Sequence, residues 1–239
     1  DILPADILGG SIYNASEAKF TFSPGPIFTD FLLADEINRA PTRSQSAFLQ
    51  AMEEGYVAAD GVNQPLSTLF TVIATQNPID FDSTNPLPEA QLDRFLTSIK
   101  LGYPDADAEL HLLGEYREAA KRDPLAVLDK GSVTALREAC DKVHLHADLA
   151  RYIVTLARAT RIEPNIKLGI SPRGSMHLAS ACKGYALVKG RQQVIAEDIQ
   201  QLIPPVWNHR LLPRHGRDND STQAHELMQN IVASVAVPR

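Results

Sequence analysis

Two short apolar runs break off directly into residues with chemistry to offer, and they limit the fold of this 239-residue chain more than any other feature. The first is Phe31-Leu32-Leu33-Ala34, followed at once by Asp35 and Glu36. The second covers residues 69–75, is rich in β-branched side chains, and leads into Gln76-Asn77-Pro78. A third run, residues 95–101, is more alternating. Runs of this length suit strands buried on both faces, as in a parallel sheet. Between the first two, residues 42–54 place Ala47, Phe48, Ala51 and Met52 on one helical face, and Gly55 ends the helix. Residues 56–59 and 62–66 flank Asp60-Gly61, a pair suited to a tight hairpin turn. A second hairpin is expected from residues 11–13 and 19–22. Strand and helix in alternation predict an α/β layer.

Beyond Tyr103-Pro104-Asp105 the pattern turns helical. Asp105 is expected to cap a helix reaching about residue 121, and Ser132 another through residue 143. Residues 147–160 repeat Leu149, Ile153, Leu156 and Ala157 at helical spacing. Ser171-Pro172 joins a capping hydroxyl to a proline at the first helical position, opening a helix to about residue 188. A short helix is expected from Glu197, and another over residues 222–235 after a polar loop. No internal repeat or low-complexity tract interrupts this order.

Composition narrows the classes. Hydrophobic residues make up 44% and charged residues 22%, which excludes collagen-like, mucin-like and wholly disordered chains. No apolar run approaches the ~18 residues of a membrane span, and no basic, apolar signal stretch opens the chain. Cys140 and Cys182 lack a partner motif and read as small core residues in a reducing cytoplasm. The seven histidines show no metal-ligand spacing. Charge is uneven. Residues 1–104 hold 5 Lys+Arg against 13 Asp+Glu, a net −8, and residues 105–239 hold 18 against 16, a net +2. An acidic first half is a poor footprint for nucleic acid. It suits a divalent-cation site or is a solvated face.

Four motifs can carry chemistry. Asp35-Glu36 at a strand's carboxyl end can hold a Mg²⁺ shell and activate a water, as phosphoryl transfer needs. An acidic pair there equally serves as a helix cap. Asn77, ending the next run, can donate to a phosphate oxygen without adding charge, or can simply start a turn with Pro78. Arg94, in Leu87-Pro88-Glu89-Ala90-Gln91-Leu92-Asp93-Arg94-Phe95, can pair with Asp93 or Glu89, or can reach a phosphate on a neighbouring subunit. Arg173, in Ser171-Pro172-Arg173, sits in a first helical turn, where the dipole disfavours a cation. That placement fits an anion-binding role or a surface ion pair.

In this order and context the four motifs, with Leu32 to Pro41 read as one segment, strongly resemble the MoxR family of AAA+ ATPases. The resemblance runs from residue 1 to about residue 212, and residues 1–10 resemble the family's segment after its second strand. It implies Asp35 and Glu36 as the Walker B acids, Asn77 as sensor 1, Arg94 as an arginine finger acting in trans, and Arg173 as sensor 2 on a helical lid. It implies the 56–66 hairpin as the pre-sensor-1 insertion and residues 10–24 as the insertion in helix 2. The expected architecture is a partial AAA+ P-loop NTPase core of α/β layers over residues 1–103, a helical lid over 104–212, and a polar loop with a C-terminal helix over 213–239. The resemblance further implies ATP and Mg²⁺ as cofactors, a cytoplasmic hexameric ring, and a partner bearing a von Willebrand factor A domain. ATP hydrolysis would drive remodelling or maturation of that partner. The phosphate-binding signature G-x-x-x-x-G-K-[ST] occurs nowhere in the chain. With Asp1 rather than Met at the start, the sequence reads as the C-terminal part of a longer chain. The alternative is a truncated assembly module, dead in hydrolysis, that offers Arg94 to a competent neighbour. A nucleic-acid remodeller is disfavoured by the acidic balance.

Overall fold

The computed structural model describes residues 2–16, 18–59, 61–77, 85–119, 128–214 and 221–238. In chain order these form α1 (Pro4–Leu8), β1 (Gly9–Asn14), β2 (Lys19–Pro24), β3 (Phe31–Ala34), α2 (Thr42–Glu54), β4 (Tyr56–Ala59), β5 (Val62–Pro65), β6 (Thr71–Ala74) and α3 (Glu89–Leu92). There follow α4 (Ala106–Ala119), α5 (Lys130–Lys142), α6 (Ala147–Ile162), β7 (Ile166–Leu168), α7 (Pro172–Val188), α8 (Ala196–Trp207), β8 (Leu212–Pro213) and α9 (Ser221–Ser234). The chain divides into two compact units, Asp1–Phe95 and Leu96–Arg239. The dividing point falls ahead of the change of pattern at residue 104.

In the first unit β3 and β6 pair in parallel, Phe31 opposite Thr71 through Ala34 opposite Ala74. The chain between them supplies α2 and the β4–β5 hairpin. Helix α2 buries Phe48, Leu49 and Ala51 against Ile27, Ile37, Val57, Leu66 and Leu87. It stops where Gly55 takes φ 71°, a left-handed conformation that a side chain would strain, and returns its N–H to Ala51 O at 2.9 Å. Both expected hairpins form: β1 with β2 and β4 with β5, each antiparallel. Gly61 supplies the positive φ of the second turn, and Asp60 lies outside the described residues. The third apolar run is not a strand. Among the described residues nothing pairs with it, Ser98 N–H goes instead to Pro205 O, and Ile99 and Leu101 are 76% and 95% exposed.

The second unit is helical around one interior. Leu156, Ile170, Leu178, Cys182, Ile199, Val206 and Trp207 are fully buried in it. Trp207 donates its indole N–H to Gly174 O at 2.9 Å, so the largest side chain there leaves no orphan donor. Thr160 Oγ1 accepts from Ile170 N at 2.9 Å and donates to Ala157 O at 2.6 Å. Asp105 caps α4 through Ala108 N, as expected. Ser132 does not cap α5. Asp129 does, accepting from Ser132 N at 2.6 Å, because the helix begins a turn earlier at Lys130. Helix α9 belongs to this interior rather than to a separate tail, since Ala224, Met228 and Ile231 all pack into it. No helix of the described residues is long and apolar enough to cross a membrane.

Candidate active site

The parallel register puts Asp35 beside Thr75 at the carboxyl ends of β3 and β6, the end of an open α/β sheet where ligands bind. Thr75 N–H donates to Ala34 O at 3.0 Å and Ile37 N–H to Thr75 O at 3.0 Å, extending the ladder past both strands. The Thr75 hydroxyl then joins the two acids. It donates to Asp35 Oδ1 at 2.5 Å and accepts the backbone N–H of Glu36 at 2.8 Å. Glu36 itself has φ 49° and ψ 48°. A non-glycine residue in this left-handed region costs on the order of 1–3 kcal/mol and persists only where its surroundings hold it. Here the bonds to Thr75 hold it. The Glu36 carboxylate accepts from Arg39 Nε at 3.2 Å, with 38% of the Glu36 side chain exposed. Asp35 is exposed as well.

Beneath the acids lies a polar scaffold. Gln45, on the buried face of α2 and 1% exposed, points its amide nitrogen at three carbonyls: Ile37 O at 3.0 Å, Ala40 O at 3.1 Å and Asn85 O at 2.9 Å. Asn85 returns N–H to Asn38 O at 2.6 Å and Nδ2 to Ala40 O at 3.3 Å. Asn38, 7% exposed, donates Nδ2 to Asn77 O at 3.2 Å. Asn77 is therefore tied by its backbone to the turn that carries Asp35 and Glu36, and the structure brings these three expected site residues to one sheet end. Pro78 lies outside the described residues.

Arg94 follows α3 and is fixed in its backbone by that helix's last turn, Arg94 N–H to Gln91 O at 3.2 Å and Phe95 N–H to Leu92 O at 3.1 Å. Among the described residues its ion pair is with Glu53 of α2, Nη2 to Oε2 at 3.1 Å, rather than with Asp93 or Glu89. The Nε atom is buried without a partner. Around the pair lies an open polar cleft of about 510 Å³ lined by Ser46, Gln50, Glu53, Glu54, Gln91 and Arg94.

Arg173, in the helical unit, stands second in α7, behind a Ser171 cap that accepts Gly174 N–H at 3.0 Å. The next turn rests on Arg210, which is 5% exposed and packs its stem against Gly174. The Arg210 guanidinium donates to Leu96 O at 3.3 Å, to Val206 O, to His209 Nε2 at 2.8 Å and to His177 Nδ1 at 2.5 Å. Sequence reasoning assigned no role to Thr75, Asn38, Gln45, Asn85, Glu53 or Arg210. Gln45 left one signal, a polar residue on the same helical stripe as Phe48, Leu49 and Met52.

Comparisons with known proteins identify the two units. Residues 1–97 match the ATPase family associated with various cellular activities (AAA), and residues 158–231 match the AAA lid domain. The lid match reaches into α9, past the limit near residue 212 that the sequence resemblance suggested. The two units are thus an α/β AAA region and its helical lid. The uncharacterised protein YeaC of Bacillus subtilis is 41% identical over 239 residues, covering 100% of this chain and 75% of that protein. The chaperone MoxR1 of Mycobacterium tuberculosis is 36% identical over 251 residues, covering 100% of this chain and 66% of that one. A crystal structure of a Cytophaga hutchinsonii protein assigned as an ATPase superposes with a TM-score of 0.86 at 32% identity, over 100% of this chain and 76% of that chain. The chain belongs to the MoxR-like AAA ATPases.

Proposed function

We propose that this chain takes part in Mg²⁺-dependent ATP hydrolysis within a ring of like subunits, coupled to remodelling or maturation of a partner protein. The observation that carries the reading is the Thr75 hydroxyl bridging Asp35 and the Glu36 backbone at the carboxyl end of two parallel strands. The donor chemistry fits the cation. Asp35 commits one oxygen to Thr75 and is exposed, and a hydrated Mg²⁺ takes one or two hard carboxylate oxygens beside its waters. Bound there with ATP, the metal would neutralise charge on the phosphates.

The chain's own residues supply the rest. Asp35 would hold the metal's hydration shell. Glu36 would orient the attacking water and receive its proton. Its pairing with Arg39 is half-exposed, a class of ion pair worth ~0–1 kcal/mol, so it yields readily. Asn77 would contact the terminal phosphate, Arg94 would reach it from a neighbouring subunit, and Arg173 would approach from the lid. These three roles rest on the family resemblance. So do the hexameric ring and a partner carrying a von Willebrand factor A domain, while the name of the relative MoxR1 supports a chaperone-like task. The cytoplasmic location likewise rests on that resemblance.

The test is made in the native protein. Glu36→Gln preserves size but cannot act as a base, so MgATP should still bind while turnover drops by ~10²–10⁴. Asp35→Asn should instead weaken Mg²⁺-dependent binding. Hydrolysis by Glu36→Gln at the unmutated rate would remove Glu36 from the mechanism.

A further inference from the structure

Glu53 contacts Arg94 across 41 positions of sequence. Its place on the chain is rigid. It sits in the last turn of α2, whose buried residues Phe48, Leu49 and Ala51 lock the helix onto the core of the α/β unit. Its neighbour Glu54 is turned elsewhere, accepting from Gln50 Nε2 at 2.8 Å. Arg94 is rigid at its other end, since α3 fixes its backbone and the flanking Leu92 and Phe95 pack against the same core. The guanidinium between them is held at one point, Nη2 on Glu53 Oε2 at 3.1 Å, while Nε is buried without a partner and the side chain remains 27% exposed.

Stability does not account for this pair. The Glu53 side chain is 39% exposed, and ion pairs of that exposure add little to folding. Orientation does account for it. Arginine has a long side chain with many rotamers and a planar fork whose use depends on direction. A carboxylate fixed on a helix selects one direction before any phosphate arrives, and the ordering cost is met in advance. The polar cleft beside the pair leaves the fork open to an approaching group.

We propose that Glu53 is a positioning residue for Arg94, holding the guanidinium at the α2–α3 edge in the orientation in which it meets the nucleotide of an adjoining subunit. This rests on the reading of Arg94 as a finger acting in trans. In turnover Glu53 acts through Arg94, so removing it should change kcat only while Arg94 is present.

Two measurements on the native protein separate the claims. The first is a double-substitution cycle in ATP turnover and ATP affinity. Glu53→Ala should lower kcat by ~10–10²-fold, the order expected when a charge-stabilising group is misplaced but not removed, with ATP affinity within about twofold of the parent. In an Arg94→Ala background the same substitution should change kcat by less than about twofold, the mark of two residues that share one function. Glu53→Gln keeps an acceptor oxygen of the same reach and should recover much of the loss. The second is phenylglyoxal modification of Arg94 followed by mass spectrometry, which needs no turnover. Freed from Glu53, Arg94 should be modified several-fold faster in Glu53→Ala at an unchanged melting temperature. If Arg94→Ala turns over at the parent rate while Glu53→Ala still exposes Arg94 to the reagent, the positioning contact stands and the finger reading falls. An unchanged modification rate in Glu53→Ala, or an equal loss of kcat with and without Arg94, would overturn the assignment of Glu53.

Discussion

The two units solve different problems with the same kinds of residue. The helical unit closes its interior with side chains: Trp207, Leu156, Ile170, Leu178, Ile199, Ile203, Val206 and Met228 are all less than 2% exposed. In the α/β unit the largest fully buried side chains are Ile27, Leu49 and Gln45, so a glutamine does core work there. Its β3–β6 pair shows Phe31, Leu33 and Ile73 to solvent at 56%, 65% and 57%. One unit is held by apolar volume. The other is held, around its acids, by hydrogen bonds from Gln45, Asn38, Asn85 and Thr75. The difference teaches where chemistry can sit. A turn that must present two carboxylates to water cannot be sealed with hydrocarbon, so its geometry is fixed by directed polar contacts.

The contrast sets the sizes of three effects. Trp207→Ala should be the most costly, at ~3–5 kcal/mol, because it empties the centre of the helical interior. It also strips Gly174 O of its donor, one residue from Arg173. Denaturant unfolding of the helical unit reads this directly, and a loss under ~1 kcal/mol would mean the interior is not organised around the indole. Gln45→Leu comes next. It fills the space yet leaves three carbonyls without their amide, which costs ~1–3 kcal/mol. It should also depress ATP turnover, because the turn beneath Glu36 loosens. A Gln45→Leu protein that gained stability would show that apolar volume suffices in this unit too.

The third effect is the smallest at neutral pH, where it vanishes, and it grows only in alkali. Burial, with a lesser contribution from the charge of Asp198, pushes the Cys182 thiol from its ordinary 9.0 up to about 12. The folded chain therefore keeps a proton that the unfolded chain releases, and stability falls as pH rises from about 9 towards 12. Below pH 9 the thiol contributes no slope. Cys182→Ala should flatten this decline relative to the parent in melting experiments between those pH values. Parallel curves would show that the thiol is not held protonated.

Much of this was legible before the structure. Helix α2 spans residues 42–54 as its apolar stripe and Gly55 indicate, and both acids stand at a strand end because an apolar run stops at Ala34. What failed had a physical reason. Residues 95–101 alternate like a strand, but a strand exists only with a neighbour to close its ladder, and periodicity does not report neighbours. The start of α5 was misplaced because Asp129 and Ser132 are both good capping residues, and the choice depends on where the first helical turn begins. The Glu53–Arg94 pair and the reach of Gln45 to Asn85 join distant segments and leave no local pattern. Thr75 closes the second apolar run, yet its bond to Asp35 follows from strand register, which the sequence of one strand alone does not set.

The central claim is that the carboxylates of one subunit and the arginine of another make one site. It is tested most directly by mixing two inactive forms of the native protein. Arg94→Ala subunits keep Asp35 and Glu36, and Glu36→Gln subunits keep Arg94. A finger in trans contributes ~10³–10⁵ in rate, so each form alone should be nearly silent. Mixed rings should recover part of the ATPase activity wherever an intact carboxylate pair meets an intact finger, with a maximum at intermediate ratios. No recovery at any ratio, with mixed rings shown to form by differential tagging and pull-down, would contradict the account and return Arg94 to a role within its own subunit.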